Sequence, residues 1–566
     1  MPPMGIPRRD VVHSAIQHNG VSYGLPDIAV SLAETTTRNR KDRNYSRGKT
    51  NAAQPRDGIT GMSTSTLTKV LWAIDKRTVF AFTVTAALGV LVATNPLAGL
   101  AALPACFVVY GIYRWCRVRL EVWQVLVLFA MTSYLLLNYG FDNFAVGWGG
   151  MQFPVGDLLI FLAIVLVIWG KQSGMLSLAM QDSAAICMSV LLLLSIAHLI
   201  FDVPRFGLYA LRDSSMIFEA ALLVLGIVWA SDAKRMKLLM RWLFFVFFIN
   251  LFYSYTFPWG EAIRSNSPSA GVFHPVPLFG NYQQSAMWLL LGALFFVWLG
   301  PSLVRWPRWV LILLAAAQLG GLAILQVRSM YVGIAVIFVI LFLLGELRKA
   351  FSLTSMLAAG TGVLVAFVWL VSMAGIQIQG RMGPVDFSFI ANQTKTLFDL
   401  VDPNARMSHD VDRSGWYQEV WRRIQSSASN TIIGEGFGQA LISFETEEGI
   451  PVRQPHNSSL TVLARLGFVG LAAWLLFILV VCTRYVRYIR NAKASAQISS
   501  LMVWLLCAFV VALLHASVQP SLEFSSGACP FYFLAGIGLG IIRWRKLEPS
   551  TVSLPMSSRQ LATPSG

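Results

Sequence analysis

The chain has 566 residues, 55% hydrophobic and 13% charged, with a mean hydropathy of +0.60 and a formal net charge of +16. That balance lies outside the soluble globular range, and apolar runs of membrane length recur from residue 79 onward, so the chain reads as a polytopic helical membrane protein. The positive charge does not argue for nucleic acid, because Lys and Arg flank the apolar runs as the positive-inside rule requires. The six cysteines, Cys106, Cys116, Cys187, Cys482, Cys507 and Cys529, lie in or beside those runs without metal-ligand spacing, so neither a disulfide framework nor a zinc site is indicated.

Residues 1–69 are polar, rich in Thr, Asn, Arg and Ser, and lack an apolar stretch of signal-peptide type. They read as a disordered basic cytoplasmic tail that helps to hold the N-terminus inside. Two short spans, 78–93 and 97–113, are hinged at Asn95-Pro96, and Arg114, Arg117 and Arg119 then mark the inside. The run 122–139 goes out and 155–170 returns to Lys171; 184–201 goes out again, to the loop D-V-P-R-F-G-L-Y-A-L-R-D. Next, 215–230 returns to Lys234, Arg235, Lys237 and Arg241, 242–257 exits, and 285–300 re-enters toward Arg305 and Arg308. A hairpin of 310–326 and 331–347 carries Arg328-Ser329 at its outer tip, and 353–374 leads into a long polar loop. The run 466–482 comes back to Arg484, Arg487, Arg490 and Lys493, and 498–518 and 530–542 complete the set before Arg543, Arg545 and Lys546.

The expected fold is an all-α polytopic membrane protein of about fourteen transmembrane helices, with one long outer loop before the twelfth. Its parts are the tail 1–69, helices one to eleven over 70–374, the loop 375–463, helices twelve to fourteen over 464–544, and a cytoplasmic tail 545–566. No internal sequence repeat supports the inverted-repeat layout of many transporters.

The long loop reads D-R-S-G-W-Y-Q-E-V-W, then I-I-G-E-G-F-G, then P-H-N-S-S-L-T-V-L-A-R-L-G-F-V-G. A polar loop of this length between spans is uncommon, and its aromatic and glycine content argues against disorder. Arginine is disfavoured in outer loops, so Arg212, Arg328 and Arg413, which share the outer face with His456, need a reason. A guanidinium fork suits a diphosphate; the competing readings are an ion pair of Arg212 with Asp213 or Glu219, a snorkelling Arg328, and a surface Arg413 on a helix over 414–426 with Trp416 and Trp421 packed beneath. Arg422 and Arg423 are adjacent on that helix and point different ways. G-E-G-F-G lacks the spacing and the preceding strand of a nucleotide fingerprint, so Gly436 and Gly438 belong to a tight turn or to a backbone that approaches a ligand closely. Pro455 disfavours helix just before His456, and Asn457 or Ser458 can cap the helix that follows. His456 is either a proton acceptor or a histidine hydrogen-bonded at the interface, whereas His198 and His515, inside spans, read as helix–helix hydrogen bonders. Asp410 and Asp412 have Asp-x-Asp spacing but stand as an isolated pair beside Arg413, a charged loop turn rather than a metal site.

R-x-x-W at Arg413 and Trp416, followed by the glycine run and H-N-x-x-L at His456 and Asn457, resembles the O-antigen ligase and polymerase superfamily, and the hydropathy layout agrees. The resemblance implies a multi-pass protein of the bacterial inner membrane acting as a glycosyltransferase on the periplasmic face, with the long loop periplasmic. It implies transfer of a glycan from undecaprenyl diphosphate to an acceptor hydroxyl on a glycan, on lipid A-core or on protein, without a metal or another cofactor and without nucleic acid as a partner. By the same resemblance, His456, Arg212 and Arg328 are the expected catalytic residues, and Arg413, Trp416, Asn457, Gly436 and Gly438 contact substrate. The basic extension and the number of spans favour a polymerase over the shorter ligases. A secondary transporter or flippase is the rival, but it calls for ionisable groups near mid-membrane, and here they crowd the outer ends of the spans. A reporter fused within 378–453 is expected outside and one fused after Arg490 inside; a cytoplasmic signal from the loop fusion overturns this topology.

Overall fold

The computed structural model describes residues 120–148, 151–170, 172–271, 275–373, 379–380, 383–384, 413–445, 451–491 and 495–547. The tail 1–69, the spans 78–93 and 97–113, the loop portion 385–412 and the tail from 548 lie outside the described residues. The main helices are α1 (Val122–Leu137), α2 (Val155–Ile168), α3 (Ser183–Phe206), α4 (Leu208–Asp213), α5 (Ala221–Trp229), α6 (Ala233–Tyr255), α7 (Ala286–Trp298) and α8 (Arg308–Leu325). They continue as α9 (Arg328–Leu343), α10 (Leu347–Met373), α11 (Arg413–Ile424), α12 (Ala428–Ile433), α13 (Ser458–Asn491), α14 (Ala496–Ala516) and α15 (Ser525–Leu547). The protein is thus a mostly helical, multi-pass membrane protein.

Among the described residues, seven helices are long and apolar enough to cross a membrane: α3, α6, α8, α10, α13, α14 and α15. Four shorter apolar helices include α1, α7 and α9, and α2 forms a pair bent by 105° with the helix Ser173–Met180. Each run read as a span between 122 and 542 thus falls on an apolar helix, though not every one has spanning length.

Local chemistry sets several helix starts. Asp182 accepts from Ala184 N at 3.1 Å and caps α3. Asp232 accepts from Lys234 N at 2.7 Å and from Arg235 N, so α6 begins at Ala233 and takes in the basic cluster ahead of the apolar run at 242. Asn457 Oδ1 accepts from Leu460 N at 3.0 Å, which makes Asn457 the cap of α13.

The core centres on α15, whose apolar window is entirely buried, with α14 next most enclosed. Phe531 of α15 stacks on Phe509 of α14 at 4.8 Å between ring centroids, and Trp474 and Phe477 of α13 pack on the same aromatic group. Helices α3 and α13 run antiparallel and are tied at both ends. At one end Arg484 of α13 donates to the buried Asp182 at 2.5 Å; at the other, the segment after α12 is held between them.

Helix α13 bends sharply at Gly467, where φ is 63° and ψ is −165°. The bend is possible because the residue has no Cβ: one built there would lie 2.3 Å from the Ile432 carbonyl. The carbonyls of Ala464 and Arg465, just before the bend, accept from Glu435 N at 2.9 Å and Gly436 N at 3.1 Å. Gly467→Ala should cost more than about 1 kcal/mol, since it combines a left-handed backbone with a backbone clash. A thermal midpoint in detergent equal to that of wild type would show that the bend relaxes freely.

Candidate functional site

Asp213, the last residue of α4, is the anchor of this region and is 4% exposed. Its carboxylate accepts from Arg453 Nη2 and Arg465 Nη2, each at 2.9 Å, and from Gly438 N at 3.2 Å. Arg465, 2% exposed on α13, also donates to the carbonyls of Gly436 at 3.0 Å and Gln439 at 2.7 Å. Arg453 donates to the Gly438 carbonyl at 2.6 Å and lies 4.3 Å from the Tyr209 ring centroid. From α3, Asp202 accepts from Phe437 N at 2.7 Å and His198 Nε2 lies 2.8 Å from the Ile433 carbonyl. The glycine run is therefore gripped on both sides by charged and polar groups of helices far away in sequence.

That grip accounts for the surroundings of Gly436 and Gly438. A Cβ on Gly436 would lie 2.3 Å from the Asp202 carboxylate, and one on Gly438 would lie 2.4 Å from Phe206. The turn geometry read from G-E-G-F-G is present, following α12, and the closest partners of these two glycines belong to the chain itself.

His456 sits between Pro455 and the cap of α13 in the left-handed backbone region, with φ 56°, a conformation uncommon for a non-glycine residue. Its ring meets Trp416 edge-on, 5.2 Å between centroids. Trp416 is buried in an apolar cluster with Val420, Ile424, Leu441, Ile442 and Leu463, which fixes α11 on α13. Trp416 thus backs the histidine ring from the core side. Arg413 opens α11, and its side chain lies outside the described residues. Arg423 pairs with Glu435 at 3.2 Å while Arg422 lines a cleft on another side of the helix, the divergence expected of adjacent helical residues.

That cleft, about 740 Å³ and open to the exterior, lies between α11 and the start of α13. Tyr417, Trp421, Arg422 and Asn457 line it, with Leu463 and Leu471. Asn457 therefore serves as a helix cap and borders a cleft beside His456.

Of the other two expected catalytic residues, Arg212 itself and the neighbour of Arg328 meet the stretch from the end of α14 to the start of α15, residues 515–524. The half-buried Arg212 places its guanidinium carbon 5.7 Å from the Phe524 ring centroid. Arg328 opens α9, and the next residue, Ser329, has its Oγ 3.1 Å from Nδ1 of His515. Just after His456, Ser458 Oγ accepts from Leu522 N at 3.3 Å. Arg212 also neighbours Asp142, whose carboxyl burial pushes up to about 8 while the Ser526 hydroxyl and amide draw it down.

His198 and His515 make the inter-element hydrogen bonds expected of them. Asp202, Arg453, Arg465 and Glu523 are not singled out by the sequence, and Asp213, read there as an alternative ion-pair partner of Arg212, pairs with Arg453 and Arg465. Arg465 did carry a signal, a charge next to an apolar spanning run. Among the described residues no group of His, Cys, Asp and Glu is placed to hold a metal ion; Asp410 and Asp412 lie outside them.

Residues 311–475 match the family model of the O-antigen ligases. The matched stretch places these residues in the O-antigen ligase and polymerase superfamily. It runs from α8 into the membrane part of α13, so it contains Arg328, α11, the glycine run, His456 and Asn457. Arg212, Asp213 and the 515–524 connection lie outside it and reach the O-antigen ligase segment only through folding. No curated protein matches the chain.

Asp213→Ala would leave two largely buried guanidinium groups without their shared counter-charge. Loss of a buried ion-pair partner typically costs about 3–5 kcal/mol, so this variant should be the least stable of the site variants. A detergent-solubilised Asp213→Ala protein that melts with wild type would remove Asp213 from its anchoring role.

Proposed function

We propose that the protein is a glycosyltransferase of the bacterial inner membrane, working on the periplasmic face. It moves a glycan from undecaprenyl diphosphate to an acceptor hydroxyl, as a polymerase of exopolysaccharide or O-antigen repeat units or as an O-antigen ligase. The observation that carries this reading is the convergence of Arg212, Ser329 beside Arg328, and Ser458 beside His456 on residues 515–524, in a chain with an O-antigen ligase segment.

In this mechanism the acceptor oxygen attacks the anomeric carbon, the bond from that carbon to the diphosphate oxygen breaks, and the lipid diphosphate departs with the electron pair. The acceptor proton passes to the His456 imidazole. A sugar hydroxyl is a weak nucleophile near neutral pH, and a positioned base typically contributes about 10²–10⁴-fold. Arg212 and Arg328 offset the charge that develops on the leaving group, the role for which a planar guanidinium is best shaped. Arg413 adds a further cation at the entrance of α11. The cleft beside Asn457, with Tyr417, Trp421 and Arg422, is the approach for the acceptor. No metal is needed when guanidinium groups carry the phosphate charge.

His456→Ala should lower transfer by about 10²–10⁴-fold with little change in lipid-donor binding. His456→Asn is the informative partner, because asparagine tolerates a left-handed backbone and hydrogen-bonds without being a base. Arg212→Ala and Arg328→Ala should each lower transfer by roughly ten- to a hundredfold, and Arg→Lys should restore only part of it. Transfer measured in membranes that contain the endogenous lipid-linked glycan decides these points, with and without chelator. Wild-type rates in the stable alanine variants, or activity lost in chelator and restored by magnesium, would overturn the assignment.

A further inference from the structure

Glu523 lies in a single 3-10 turn, Ser521–Glu523, between α14 and α15, and is 3% exposed. Both of its carboxyl oxygens are sealed from solvent. They face the hydroxyls of Thr461 and Ser458 on the first turn of α13. The backbone of the same turn is bound on two sides. Leu522 N donates to Ser458 Oγ, and the Glu523 carbonyl accepts from Ser215 Oγ, each at 3.3 Å. The next residue, Phe524, carries Arg212 over its ring and meets Tyr139 edge-on at 5.5 Å. One buried acid therefore sits where the start of α13, the residues after α4 and the start of α15 come together.

We propose that Glu523 is a positioning residue that, as the neutral acid, holds the first turn of α13 and with it His456 and Asn457. This inference rests on the glycosyltransferase reading. A charged carboxylate in this place would need a cation, and the nearest guanidinium on α13, Arg465, is already engaged by Asp213 at 2.9 Å. A neutral carboxyl both donates and accepts, so it can meet a facing hydroxyl in either sense. Burial pushes the Glu523 carboxyl up to about 8, against the opposing pull of the Thr461 and Ser458 hydroxyls and the Arg465 charge, so near neutral pH the acid form predominates. The titratable groups on the elements packed around the turn include Arg465 and His456 at α13, Arg212 over Phe524, Glu219 after the residues 215–218, His515 at the end of α14, Asp142 against Ser526, and Cys529 in α15. Ionisation above pH 8 puts a negative charge beneath the turn that begins two residues after His456. It also removes the proton that the neutral acid can offer to the facing hydroxyls.

The test compares wild type, Glu523→Gln and Glu523→Ala in membranes of cells that lack their own copy of the chain and retain the endogenous lipid-linked glycan. Glutamine keeps the shape and both hydrogen-bonding roles but cannot ionise. At pH 7, Glu523→Gln should retain transfer within about threefold of wild type, and Glu523→Ala should fall by about tenfold or more. Between pH 7 and pH 9 the wild type should lose about fivefold or more relative to Glu523→Gln, because only the acid titrates. A glutamine variant as inactive as alanine at pH 7 would mean that Glu523 acts as a charge or a proton carrier. An identical alkaline fall in Glu523→Gln, or wild-type transfer in Glu523→Ala, would equally overturn the proposal.

If wild-type membranes transfer no glycan, the glycosyltransferase reading fails, and thermal unfolding in detergent still tests the acid. A carboxyl whose folded value lies above its unfolded one stabilises fully below the unfolded value and loses that contribution as pH rises through the folded one. Wild type should therefore lose stability relative to Glu523→Gln between about pH 4.5 and pH 8. Parallel melting profiles would show that the buried acid is not neutral in the folded protein.

Discussion

The site depends on one shared carboxylate. Asp213 faces two guanidinium groups at 2.9 Å, one from the segment before His456 and one from the membrane helix after it. Two buried cations cannot be left without compensation. Asp213 bonds both arginines, Glu435 lies 3.9 Å from Arg465, and the backbone carbonyls of Gly436, Gly438 and Gln439 accept further guanidinium N–H groups. Once Asp213 is placed, the glycine run has a defined course, and α13 has a partner for the carbonyls freed near its bend.

The glycine run thus acts as a strap rather than as a ligand loop of the nucleotide type. Gly434 and Gly467 meet at backbone contact, each in the left-handed region and each where a Cβ would lie 2.2–2.3 Å from the other strand's carbonyl. Two flexible residues at one crossing let a loop and a membrane helix share hydrogen bonds that neither could otherwise complete. The strap, the apolar cluster under Trp416 and the cap at Asn457 together hold His456 in a backbone conformation that an unsupported chain would rarely adopt.

The supports of the proposed catalytic groups come from both ends of the O-antigen ligase segment and from beyond it. Arg212 and Glu523 lie outside the matched residues, yet Phe524 stacks with one and adjoins the other.

Much of this protein was legible residue by residue. Apolar runs declare membrane helices because lipid offers the backbone no partners, so every buried amide must be satisfied within the helix. Caps such as Asn457 and Asp182 act over two or three residues, and adjacent arginines on a helix diverge by geometry alone. His456 and the arginines stood out because their positions at span ends need a reason beyond solubility. What only the tertiary structure decided is the pairing of charged and polar groups. Asp213 meets Arg453 and Arg465 across 240 and 252 residues, Asp202 meets Phe437 across 235, and Ser458 meets Leu522 across 64. A carboxylate carries no local mark of which distant cation it will meet. The choice is made when burial removes water and leaves each charge only the partners that packing has brought within reach.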